Sequence, residues 1–278
     1  AQFGFKTCLI EADSYLGGTC LLRGCIPTKA LLHGAHVYRQ ISGASTFGIE
    51  VKDVKLNFRA LQKYKEAVVT KLAKGVDYLM KKNKVDVING FGTLKNATTI
   101  CVKLPKGSEE VQAKYIILAT GSSVKPLLGI ELDKKGVVSS DEILQLKDVP
   151  ESLLVVGAGA VGVEFASLFA QLGSQVTLIE LLPKIVPLED EDISAELQRC
   201  FTKEMEVLTN TKIVKLAKTK NSYVATLDTN GKQTTKKFEM VLISVGRTPN
   251  TAKLGLENTN IKTDKGYIVV NKFMQTNE

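Results

Sequence analysis

The alternation of apolar and polar positions divides the chain into two stretches with the same order of elements. Lys6 to Glu11 is a short apolar run closed by an acid, the pattern of a buried parallel strand. Gly17-Gly18-Thr19 predicts a flexible loop with a helix N-cap, and Cys20 to Ser42 a helix that tolerates Pro27. Lys55 to Lys82 carries apolar residues at 61, 68, 72, 76 and 79, close to helical spacing. Val85 to Ile88 predicts a strand. Phe91 to Leu104 and Val111 to Ala119 predict a small β-meander with a turn at 106–108. Thr120-Gly121-Ser122 closes this module, and a connection from Lys125 to Val149 follows, with a short helix at Asp141 to Leu146.

The second stretch repeats the order more completely. The strand Ser152 to Val156 leads through a glycine turn into the helix Val161 to Leu172. The strand Gln175 to Glu180 follows, then the helix Asp190 to Lys203, a second meander from Thr211 to Lys237, and the strand Met240 to Val245. Gly246-Arg247-Thr248-Pro249-Asn250 ends it, and Gly266 to Gln275 reads as further strand. The pattern predicts an α/β chain of two Rossmann-like nucleotide-binding modules with β-meander insertions, the first incomplete because it lacks an opening strand and glycine turn.

Composition adds limits. A chain of 278 residues can hold two domains, and 44% hydrophobic with 24% charged residues is ordinary for a globular protein. The net charge of +8 raises the question of nucleic acid, but Lys supplies 32 of the 37 basic residues. Arg occurs only at 23, 39, 59, 199 and 247, with no basic stripe and no aromatic interleaving, so no nucleic-acid partner is expected. A membrane span is not expected either: the longest apolar stretch, 152–173, is broken by Glu164 and by glycines at 157, 159 and 162. The chain opens in what reads as the end of a helix, so residues before Ala1 are expected.

Two motifs carry chemistry. Gly157-Ala158-Gly159-Ala160-Val161-Gly162 follows an apolar strand and opens a helix, the context a dinucleotide-binding turn requires. Gly157 permits the tight turn, Gly159 lets a pyrophosphate approach the backbone, and Gly162 packs helix on strand. Phosphates would sit at the positive end of that helix. Glu180 ends the next strand, where a carboxylate accepts hydrogen bonds from a ribose; with no Arg nearby this favours NAD over NADP.

The second motif is Cys20-Leu21-Leu22-Arg23-Gly24-Cys25. A cysteine pair at a helix N-terminus can close a disulfide if the first turn is distorted, as Gly24 and Pro27 allow. The positive helix end favours a thiolate, and a dithiol could then exchange with the exposed sulfur. Spacing alone leaves buried thiols or half a metal site equally open. No second Cys or Cys-His pair completes a zinc site, and no metal is expected. Cys8 reads as a core thiol, Cys101 and Cys200 as structural, and His33 and His36 as exposed or capping residues. The acids at 189–192 read as a cluster favoured by a helix dipole.

The segment from Gly17-Gly18-Thr19-Cys20 through Cys25-Ile26-Pro27-Thr28-Lys29-Ala30-Leu31-Leu32 resembles the active-site segment of the pyridine nucleotide-disulfide oxidoreductases. The Ile-Pro-Thr-Lys tail resembles the branch that acts on dihydrolipoyl groups. Ala119 to Ser122, Gly157 to Glu164 and Gly246 to Asn250 match the family in the same order. The resemblance implies an FAD domain at 1–124 continued by 250–278, and an NAD domain at 125–249. It makes Cys20 the interchange thiol, Cys25 the sulfur set against the flavin, and Lys29 a buried group near the flavin with Glu164 as its partner. Glu164 would also lie beside the nicotinamide. Glu11, Gly18, Thr19, Gly92, Thr120, Gly121 and Ser122 would line the FAD site, and Ile213 and Gly246 the NAD site with the glycine turn and Glu180.

The implied activity is flavin-dependent oxidation of dihydrolipoyl groups on a carrier protein, with NAD reduced, in 2-oxo acid dehydrogenase or glycine cleavage complexes. The implied protein is a homodimer, cytoplasmic in a bacterium or in the mitochondrial matrix of a eukaryote. Its dimer-forming interface domain, with a His-Glu pair matched by neither His33 nor His36, is expected beyond Glu278. Leu22-Arg23 departs from the commoner Asn-Val between the cysteines. The alternatives are another disulfide or metal reductase of the family, or a nucleotide-binding module without catalysis.

Overall fold

The computed structural model describes all residues, Ala1–Glu278. They form two compact units: one of residues 1–22, 70–123 and 247–278, the other of residues 23–69 and 124–246. Residues 23–69 cluster with the second of these units. The cause is apolar packing: Leu31, Ala35 and Phe58 share one buried cluster with Val163, Ala166 and Phe169.

The second unit is built on a five-stranded parallel sheet. Its strands lie in the order Glu206–Leu208, Gln175–Ile179, Ser152–Val156, Met240–Ile243 and Val137–Val138. Leu153, Leu154, Val155, Val241 and Leu242 are fully buried, as expected of a sheet covered on both faces. One face packs on the helix Ala160–Gln171 through Phe165, Leu168 and Phe169. The other packs on the meander Thr211–Lys218, Tyr223–Thr229 and Lys232–Phe238 through Tyr223, Ala225, Leu227 and Phe238. The connection before the sheet is tied to that meander by Asp133. Its Oδ1 accepts the N–H groups of Lys135, Gly136 and Val137, and its Oδ2 accepts from Lys218 Nζ at 2.7 Å and from the Tyr223 hydroxyl.

The helix Cys25–Ser42 begins after Gly24 rather than at Cys20; residues Gly18–Arg23 form a separate short helix. Gly18 and Thr19 are therefore helical and not loop. Gly34 lets this long helix approach the start of the helix Phe58–Lys82, since a Cβ at Gly34 would stand 2.3 Å from Leu61 Cδ1.

In the first unit Cys8–Glu11 pairs in parallel with Asp86–Asn89, and Phe91–Asn96, Thr99–Lys103 and Ser108–Gln112 form the first meander. The segment 247–278 returns to it: Leu94 N–H donates to Leu254 O at 2.7 Å, and Asn258 Nδ2 donates to Leu94 O at 2.9 Å. The expected meander strand at 115–119 does not form; its residues are apolar, but no strand pairs with them and Ile117 stays 90% exposed. The run 266–275 reduces to a two-residue hairpin arm, Tyr267–Ile268, against Thr263–Asp264.

Cys8 is exposed and not in a core, because its strand lies in a two-stranded sheet. Cys200 is also exposed, on the outer side of the helix Glu191–Phe201 beside Glu196.

Candidate active site

The helix Cys25–Ser42 sorts its residues by face. Pro27, Thr28, Ala30, Leu31 and Ala35 are buried, and Cys25, Lys29, His33 and His36 form an exposed stripe at intervals of three and four. Cys25 is the first residue of this helix and an exposed thiol, and no side chain caps the N–H groups there. Those donors are what a thiolate at this position requires. Cys20, on the preceding short helix, is exposed too.

One turn beyond Cys25, Lys29 Nζ donates to Glu164 Oε1 at 2.5 Å. Glu164 belongs to the helix that the glycine turn opens, so the cysteine helix and the turn helix are joined by this pair. The Lys29 side chain is 57% exposed, against 34% for Glu164. An ion pair this exposed adds only ~0–1 kcal/mol to stability. Its consequence is orientation.

The glycine turn has the stereochemistry its sequence implied. Gly157 has φ +98°, which favours glycine, and a Cβ there would lie 2.7 Å from Ser244 O. At Gly162 a Cβ would lie 1.8 Å from Gly157 O, so only hydrogen fits between helix and turn. Gly159 is the N-cap of the helix Ala160–Gln171, and a Cβ there would meet nothing within 4 Å. Open space thus lies over a helix N-terminus, and a pyrophosphate fits it. Glu180 is buried at the end of its strand. Its Oε2 accepts from Ala158 N–H at 2.7 Å and its Oε1 from Leu182 N–H at 3.0 Å. Each oxygen keeps a lone pair for a ribose hydroxyl.

Gly246 (φ +113°) is exposed, and its carbonyl accepts from Lys125 N–H at 3.0 Å. Ile213 lies against the meander-side core.

In the first unit Glu11 closes its strand as Glu180 closes its own, with Oε1 accepting from Asp13 N–H at 2.8 Å. Gly92 lies over this strand, a Cβ there falling 3.4 Å from Ile10 Cγ2. A carboxylate at a parallel strand's end suits the ribose of a second nucleotide. Thr120 Oγ1 donates to Asn250 O at 3.0 Å, Gly121 O accepts from Asn250 N–H at 3.0 Å, and Ser122 Oγ accepts from Arg247 Nε at 2.7 Å. These contacts join the expected cofactor residues 120–122 to the Gly-Arg-Thr-Pro-Asn segment.

Sequence reasoning missed Ser244, which sits beside the glycine turn but lies 87 residues from Gly157 along the chain. Nothing local in its apolar surroundings marked it.

These features, a cysteine-headed helix bridged to the helix of a glycine turn on a parallel sheet, accompany a match over residues 1–278 to the family described as pyridine nucleotide-disulphide oxidoreductase, and the chain belongs to that family. It is 42% identical over its whole length to the dihydrolipoyl dehydrogenase of Bacillus subtilis, of which it spans 61%. It is 40% identical, again over its whole length, to the mitochondrial dihydrolipoyl dehydrogenase of Pisum sativum, of which it spans 56%. The fold resembles the HOCl-induced flavoprotein disulfide reductase RclA of Escherichia coli in its Cu(II) complex. That likeness has a TM-score of 0.85 and 28% identity, and covers 99% of this chain and 59% of the other. The chain thus spans little more than half the length of these relatives.

Proposed function

We propose that the protein oxidises dihydrolipoyl groups of a carrier protein and passes the electrons through FAD to NAD. The balance is one dihydrolipoyl dithiol and one NAD⁺ giving a lipoyl disulfide, NADH and a proton. Cys20 attacks or is attacked as the interchange thiol, and Cys25 completes the disulfide with it. In oxidising the substrate, that disulfide takes two electrons and two protons and becomes a dithiol. Bound FAD would supply the two-electron chemistry between that dithiol and NAD.

The chain's own residues do the positioning. Lys29 brings a positive charge one helical turn from Cys25, and Glu164 fixes its direction. Glu11, Gly18, Thr19, Gly92 and Thr120 to Ser122 hold FAD in a domain of 1–124 and 250–278. Gly157, Gly159, Gly162, Glu180, Ile213 and Gly246 hold NAD in a domain of 125–249. The observation that carries this reading is the Lys29–Glu164 bridge, which ties a cysteine-headed helix to the helix of the dinucleotide turn.

The partner is a lipoyl-bearing domain of a 2-oxo acid dehydrogenase or glycine cleavage complex, and the working form is a homodimer. Its compartment is the cytoplasm of a bacterium or the mitochondrial matrix of a eukaryote; no helix here is long and apolar enough to cross a membrane.

Mixing the full-length protein with dihydrolipoamide, with glutathione and with a metal salt plus NADH tests the substrate class. Rapid NAD reduction with dihydrolipoamide alone is the expected result. Preference for either of the other two would move the protein to another branch of the family.

A further inference from the structure

The glycine turn is held by more than its glycines. The Gly157–Ala158 peptide is trans, so its carbonyl and its N–H point in opposite directions. Both ends are gripped. The N–H of Ala158 donates to Glu180 Oε2 at 2.7 Å, and the carbonyl of Gly157 accepts from the Ser244 hydroxyl at 2.9 Å. Ser244 stands just after the strand Met240–Ile243, and its own N–H donates to Val156 O at 2.8 Å. Its hydroxyl also lies 2.9 Å from that same oxygen. The hydroxyl is shared between the two carbonyls, and Val156 O keeps the Ser244 backbone donor, so loss of the hydroxyl weighs most on the Gly157 carbonyl. The fit is tight, since a Cβ on Gly162 would fall 2.9 Å from Ser244 Oγ.

The direction of this one carbonyl matters for an anion. A phosphate over the helix N-terminus is drawn by N–H groups and repelled by carbonyl oxygens. Rotation of the Gly157–Ala158 peptide would turn an oxygen toward the approach and would pull Ala158 N–H away from Glu180. The carboxylate would then lose the contact that aims it.

We infer that Ser244 is a positioning residue for the dinucleotide, acting through the Gly157–Ala158 peptide on both the pyrophosphate turn and the Glu180 carboxylate. This rests on the reading of the turn as the NAD site. Ser244 acts directly on neither nucleotide nor sulfur; it fixes the groups that face the nucleotide.

Calorimetric titration of the full-length holoenzyme and its Ser244→Ala variant with NAD and with adenosine diphosphate tests the inference, alongside steady-state kinetics and thermal melting. Loss of one neutral hydrogen bond predicts about three- to tenfold weaker NAD binding. KM for NAD should rise by more than kcat falls, with little change in melting temperature. In a Glu180→Gln background the effect of Ser244→Ala should shrink, since both residues hold the same peptide.

Equal NAD affinity in the two proteins would overturn the inference. So would a fall in kcat and melting temperature with KM unmoved, the mark of a structural role, or strictly additive effects in the double variant. If the unaltered protein bound neither NAD nor adenosine diphosphate, the reading of the turn itself would fail, and the inference with it.

Discussion

Steric fit and ion pairing act differently on single residues of this protein. At Gly162 the neighbour is a backbone oxygen, 1.8 Å from where a Cβ would stand, and backbone in a turn between strand and helix cannot yield cheaply. Gly162→Ala should therefore cost stability toward the upper end of the ~1–3 kcal/mol range for overpacking, read by urea denaturation, and should abolish NAD binding. At Gly34 the neighbour is the end of the Leu61 side chain, which can change rotamer. There the same substitution should cost less than about 1 kcal/mol, and replacing Leu61 by Ala should cancel the strain part of that cost in a double-mutant cycle. Lys29→Met presents the opposite profile. The ion pair with Glu164 is exposed, so a melt should move by at most ~1 kcal/mol equivalent. Dihydrolipoamide-driven NAD reduction should nonetheless fall by roughly an order of magnitude or more if the charge acts beside the reacting sulfur.

Elements were legible in the sequence where their signals are local. The strand-turn-helix at 152–171 announces itself by an apolar run, three spaced glycines and a second apolar period, and the structure reproduces it within a residue. The same holds for the second meander, whose three strands carry turn residues between them. Legibility failed where an element depends on a distant partner. Tyr115 to Ala119 has the composition of a strand, but a strand is a pairing, and none is made. Val137–Val138 and Glu206–Leu208 are too short to show a period, yet each completes an edge of the parallel sheet. The break at Gly24 was anticipated only as a distortion, not as the start of a new helix with Cys25 at its head. Of the candidate site, the cysteines, Lys29, Glu164, the three glycines and Glu180 were all visible as residue types at meaningful positions. Ser244 was not, because its contacts are made across the sheet.

For the molecule as a whole, the second unit carries most of the buried apolar residues, and Asp133 ties the segment before the sheet to the meander. Burial alone would raise the Asp133 carboxyl. The bonds from Lys218, Tyr223, Gly136 and Val137 outweigh it and hold the group well below the usual carboxylate range. A folded-state value below the unfolded one, which is near ~4, means stability present above that pH and lost as pH falls toward the folded value. Asp133→Asn should thus destabilise the protein at neutral pH by about 1–3 kcal/mol. The gap from the unaltered protein should narrow progressively below roughly pH 4, as acid-limb denaturation curves would record. A constant gap down to pH 2 would contradict the assignment of that stability to the ionised carboxylate.

The proposed function places the cysteine pair and the dinucleotide turn on one electron path. The direct measurement is NADH formation on anaerobic mixing of dihydrolipoamide and NAD with the full-length protein, its Cys20→Ser variant and its Cys25→Ser variant. A single path predicts NADH from the unaltered protein and none above background from either variant. NADH production that survives both substitutions, or none from the unaltered protein, would contradict it.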